Sequence, residues 1–137
     1  MGLDNGLILH TKKRINSKNK PDFIKSLVDQ ELKSDYPYGY EICYWRKCWN
    51  IRREVAHAIG APLDYVSKYN LTIEEVKNIW RAVENLNSPR TWGNDSIWTY
   101  NEMSGHLNDD LLSIEWLIHF MKEHKKDEYA VEFYDSY

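Results

Sequence analysis

The sequence predicts an α+β fold: a small sheet of about three strands with four helices packed on it, in the order β α α α β α β. Three observations carry this. Residues 6–13 (GLILHTKK) and 128–134 (EYAVEFY) bracket the chain with runs that alternate as strands do. LTIEEV at 71–76 is a strong helix start. Three further segments carry apolar residues at helical spacing. With 137 residues, 42% hydrophobic and 28% charged, the chain is expected to form a single globular domain over residues 1–137.

In order, Leu7, Leu9 and Thr11 alternate with Ile8, His10 and Lys12 in the first strand. NSKNKP at 16–21 is a polar loop, and Pro21 can open a helix. Phe23, Ile24, Leu27, Val28 and Leu32 then predict a helix to about Lys33. SDYPYGY at 34–40 is a turn, and a second helix is expected from about Tyr44 to Gly60, with Pro62 beyond. In LTIEEV, Thr72 can cap the N–H of Glu75 while Glu75 reaches back, and that helix runs to about Leu86. SIWTY at 96–100 reads as a short strand. Asn108 or Asp109 caps a last helix to about Lys122. Tyr129, Val131 and Phe133 alternate with Ala130, Glu132 and Tyr134 in the final strand.

On a helical projection, Tyr44, Trp45, Cys48, Trp49, Ile51, Val55, Ala56 and Ile59 fill one apolar arc, and Arg52 falls inside it. A guanidinium keeps its charge, so Arg52 must meet a carboxylate or an anionic ligand, or reach the rim. Glu41 and Asp4 are the expected carboxylates. Two readings follow: an ion pair that docks strand on helix, or an anion and aromatic pocket. The candidate pocket comprises Asp4, Glu41, Arg46 and Arg52, with Trp45, Trp49 and Trp92 as stacking surfaces.

A net charge of −3 argues against general nucleic-acid binding. Positive charge does cluster at Lys12, Lys13, Arg14, Lys18 and Lys20, which read as a solvated strand end and loop. Cys43 and Cys48 are expected to be reduced thiols that point apart. The histidines have no ligand spacing: His119 and His124 are five apart and are expected on different helix faces, so no metal is predicted. Neither a secretion signal nor a membrane-spanning stretch is visible. In the last helix Leu112, Trp116 and Phe120 form a ridge beside the main apolar stripe, which predicts a homodimer interface.

The opening MGLDNG, the block EICYWRK at 41–47, LTIEEV and the ending EFYDSY resemble a group of small bacteriophage and prophage proteins. These open with Met-Gly-Leu-Asp, carry a Glu-Val-x-Tyr-Trp-Arg-Lys block and close on an aromatic strand. Asn5 and Gly6 stand where the group commonly has Met-Tyr, and Tyr137 where a final Trp is usual. The resemblance implies phage origin and action in the bacterial cytoplasm, and it brings no catalytic residue or cofactor with it. The expected function is non-enzymatic binding of a host component, as in counter-defence, by blocking a host protein or sequestering a small anionic, nucleotide-like ligand. The alternative is a small enzyme of nucleotide or phosphoester chemistry, with His10, Glu41 and Asp4 as its acid–base candidates.

Overall fold

The computed structural model describes residues 4–27, 35–46, 48–60, 66–88 and 100–136. Its strands are β1 (Asp4–Thr11), β2 (Lys25–Leu27), β3 (Tyr38–Arg46), β4 (Val66–Asn70) and β5 (Tyr129–Ser136). Its α-helices are α1 (Trp49–Ile59), α2 (Ile73–Leu86) and α3 (Tyr100–Glu123). The strands form one sheet in the order β2-β3-β1-β5-β4, and every pairing is antiparallel. The fold is α+β, but the sheet has five strands where about three were expected. Among the described residues there are three α-helices where four were expected.

Strand alternation decides what faces the helices. Leu7, Leu9 and Thr11 of β1 lie opposite Phe133, Val131 and Tyr129 of β5, and all six are buried. From β3, Tyr40, Cys43 and Trp45 pair with Leu9, Leu7 and Asn5 on the same face. Two side-chain contacts dock the helices here: Arg52 of α1 on Asp135 of β5, and Trp45 of β3 on Asp110 of α3. Helix α2 packs against both α1 and α3. Val76, Ile79, Val83 and Leu86 form its buried stripe.

The expected helix from Tyr44 begins five residues late, because its first part is β3. The register of β1 with β3 shifts between Leu7 and Ile8, so Ile42 is an extra residue in β3. The core-facing residues are therefore Tyr40, Cys43 and Trp45, and the step of three imitates helical spacing. The helix expected after Pro21 is contradicted at Lys25–Leu27, which pairs with β3 as an edge strand; residues 28–34 lie outside the described set. Edge strand β4 was not expected. Its clearest packing residue is Tyr69, whose ring stacks on Phe133 at 6.3 Å.

Helix α3 starts at Tyr100, not near Asn108. Met103 and Leu107 are buried and continue the stripe of Ile114, Leu117 and Met121 toward the N-terminus. Gly105 interrupts nothing, because it is exposed and a Cβ there would meet no atom within 4 Å. Tyr100 thus belongs to α3 instead of the expected strand at 96–100, whose other residues lie outside the described set. Helix α2 begins as expected: the Thr72 hydroxyl accepts from Glu75 N at 3.2 Å and the Glu75 carboxylate accepts from Thr72 N at 2.9 Å. Helix α1 also stops as expected, at Gly60 with φ 63°, where the left-handed turn lets its N–H reach the carbonyls of Ala56 and His57. Among the described residues no helix is long and apolar enough to cross a membrane.

Candidate functional site

Arg52 is shielded and paired with a carboxylate, but the partner is Asp135, not Glu41 or Asp4. Nε lies 2.8 Å from Oδ1 and a terminal nitrogen 3.0 Å from Oδ2, a two-pronged contact. The Asp135 side chain is fully buried and that of Arg52 is 11% exposed. Trp49 lies under the guanidinium at 5.4 Å. The pleat explains the choice. Asp135 pairs with Asn5 on the helix side of the sheet, whereas Asp4 is one residue out of phase. Glu41 pairs with Ile8, on the same far side as Asp4.

The expected pocket is therefore split between the two faces. Asp4 accepts a hydrogen bond from the Tyr44 hydroxyl at 2.8 Å on the far face, and Arg46 is exposed at the strand end opposite Asp4. Trp45 is 1% exposed in the core and donates its Nε1–H to Asp110 at 2.7 Å, so its ring is unavailable to a ligand. Trp92 lies outside the described residues. His10, also on the far face, is buried beside Glu132 with Nε2 3.2 Å from the carboxylate.

A different set of side chains does converge. Beyond β1 the chain is tied across the C-terminal half of α3. The Thr11 hydroxyl donates to Lys13 O at 2.7 Å, the N–H of Ile15 donates to the Tyr40 hydroxyl at 2.8 Å, and Trp116 Nε1–H donates to Asn19 O at 3.3 Å. A cleft of about 740 Å³ results. Lys12, Lys13 and Arg14 line one side; Trp116, His119, Phe120 and His124 line the other. Among the described residues no carboxylate pairs with Lys13 or Arg14.

The α3 side is preorganised. His124 donates Nδ1–H to the Phe120 carbonyl at 2.9 Å, and its ring stacks on Phe120 with centroids 3.9 Å apart. That carbonyl lies in the last turn of α3, which ends at Glu123. Phe120 is otherwise covered by Trp116 and by the edge-on ring of Tyr129. The proposed ridge is thus largely closed within one chain at Phe120, while Leu112 stays 54% exposed. His119 and His124 line the same cleft although they are five apart, because helix α3 ends at Glu123.

Glu123 and Glu128 also line the cleft, and the C-terminus of α3 adds a partial negative charge of about −0.5. Glu123 is engaged by His119, Nε2 to Oε1 at 2.9 Å. Electrostatics therefore favours an anion on the Lys13–Arg14 side and a flat ring on the Trp116–His124 side. Sequence reasoning had the cations and the aromatics as separate features. Nothing local could join them, because Asn19 and Trp116 are 97 positions apart. No family model, curated protein or solved structure matches the chain. Among the described residues no cluster of three or more His, Cys, Asp or Glu side chains could hold a metal.

Both cysteines are free and buried. Desolvation pushes both thiols up, that of Cys48 to about 12, so neither is a nucleophile near neutral pH. His106 is held against a carboxylate. Its Nδ1 lies 2.9 Å from the same Asp110 oxygen that receives Trp45. That hydrogen bond raises its pKa, and burial opposes the rise. A raised histidine pKa stabilises the fold fully below the ordinary value of about 6.5, and the contribution is lost as pH rises through the folded value. His106 is 45% exposed, so the effect is modest. The urea midpoint of the wild type minus that of His106→Gln is expected to shrink between about pH 5.5 and pH 8. A difference that stays constant, or grows, would refute the assignment.

Proposed function

We propose that the protein is a non-enzymatic binder of a small, anionic, nucleotide-like ligand. The observation that carries this is the meeting of Lys13 and Arg14, free of carboxylate partners among the described residues, with the Trp116–His124 wall in one cleft. Cations hold the phosphate and the aromatic wall takes the ring, while Glu123 and Glu128 disfavour ligands whose charge extends toward α3. The bacteriophage-like blocks of the sequence fit a role in the host cytoplasm, with the bound ligand sequestered as a form of counter-defence.

Calorimetry with adenosine 5′-monophosphate tests the reading. The wild type is expected to bind, and Lys13→Glu with Arg14→Glu to weaken binding by more than about tenfold, roughly 1.4 kcal/mol. Absence of binding at millimolar nucleotide, or equal affinity in the charge-reversed variant, would overturn it. The ligand is expected to be recovered unaltered. Turnover that disappears in His119→Asn would instead favour an enzyme of phosphoester chemistry, because His119 is a titratable group in the cleft.

A further inference from the structure

A second cleft, of about 500 Å³, adjoins the first and shares Arg14, Ile15 and Asn16 with it. Its other walls are Ser17, Lys20 and Ser26. Among the described residues this lining differs from that of the first cleft in two respects: it contains no carboxylate and no aromatic ring. The ammonium of Lys20 is fixed in place, because it donates to the backbone carbonyls of Ile24 and Pro21. An ammonium has three protons, so one remains for a ligand. Ser17 and Ser26 are exposed and each adds a hydroxyl donor. The Arg14 guanidinium has five N–H donors and stands in the wall common to both clefts, so it can serve an anion on either side.

We propose that the two clefts form one site for a nucleotide with two separate phosphate groups, its ring on the Trp116–His124 wall, one phosphate at Lys13 and Arg14, and the other at Arg14 and Lys20. Arg14, the fixed Lys20 ammonium and the two serine hydroxyls are what assign the second cleft a phosphate, and among the described residues no aromatic ring there offers a surface to a second base. This inference rests on the nucleotide reading of the first cleft and adds the second phosphate to it.

Calorimetry with adenosine 5′-monophosphate, adenosine 3′,5′-bisphosphate and a 5′-phosphorylated dinucleotide separates the two levels. The bisphosphate is expected to bind at least about tenfold more tightly than the monophosphate. Lys20→Gln keeps a hydrogen-bond donor but removes the charge. It is expected to erase that advantage and leave monophosphate affinity unchanged. Ser26→Asp puts a repelling charge in the second cleft without removing Lys20 and is expected to weaken the bisphosphate more than the monophosphate, which loses only the share of Arg14 that the new carboxylate takes. Equal affinity for the mono- and bisphosphate, with the monophosphate still bound, overturns the two-phosphate site alone. Failure of all three probes overturns the nucleotide reading as well. A dinucleotide that binds as tightly as the bisphosphate identifies the ligand as a strand end, and a weaker one identifies a small bisphosphorylated nucleotide.

Discussion

Arg52→Ala is expected to lower the free energy of unfolding by about 3–5 kcal/mol in urea denaturation. The cost comes less from the attraction lost than from the charge left behind. Asp135 is fully buried, and the guanidinium supplies two hydrogen bonds to it. Without Arg52 a carboxylate would remain inside the core with no cation, or would have to take up a proton. Asn5, opposite Asp135 in the ladder, is itself fully buried, and its amide has no hydrogen-bond partner among the described residues, so it gives Asp135 no bond in place of the lost donors. Arg52→Lys is expected to retain the charge but lose the two-pronged geometry, and so to fall between wild type and alanine. Arg52→Met with Asp135→Leu removes both charges and is expected to recover much of the loss. A cost below about 1 kcal/mol for Arg52→Ala would mean that the pair behaves as a solvent-exposed one.

Arg52 also marks how far the sequence alone could lead. Its place among apolar residues required an anionic partner, and that much was legible. The partner's identity was not, because it depends on strand phase. Shifting a strand by one residue moves every side chain to the other face, and Asp4 and Asp135 differ by one such step. The bulge at Ile42 hid β3 in the same way, by replacing a period of two with a step of three. Capped helices were easier: Thr72 and Glu75, and Gly60, act within a few residues and need no tertiary partner. Strand β2 is too short to show a period, the two apolar residues of β4, Val66 and Tyr69, fall on opposite faces, and both strands lie at sheet edges. The cleft between residues 12–20 and α3 was the least legible feature. It joins a basic segment read as solvated to a helix face read as an interface, and only the packing of residues 12–20 against α3 makes them one site.

Gly6→Ala should be the most damaging small substitution in β1. Exchanging Gly for Ala where the backbone can accept it usually stabilises by about 0.4–1 kcal/mol, through the unfolded chain. Here the sign is expected to reverse. Gly6 does not need a left-handed backbone, since the positive-φ glycine among the described residues is Gly60. What Gly6 needs is space. A Cβ there would collide with the carbonyl oxygen of Cys43 and fall 3.1 Å from a ring carbon of Tyr134. Tyr134 can swing away, but the Cys43 carbonyl belongs to the backbone of β3, beside the register shift between Leu7 and Ile8. Relieving the contact means moving β1 away from β3 at the centre of the sheet, where Leu7 and Cys43 hold the core. Overpacking by one methyl ordinarily costs about 1–3 kcal/mol. A clash with backbone should reach the upper end of that range, about 3 kcal/mol. Tyr134→Ala in the same chain separates the two contacts: it should fail to restore stability if the Cys43 carbonyl is the obstacle. A Gly6→Ala protein with an unchanged urea midpoint would show that β1 and β3 do not approach this closely.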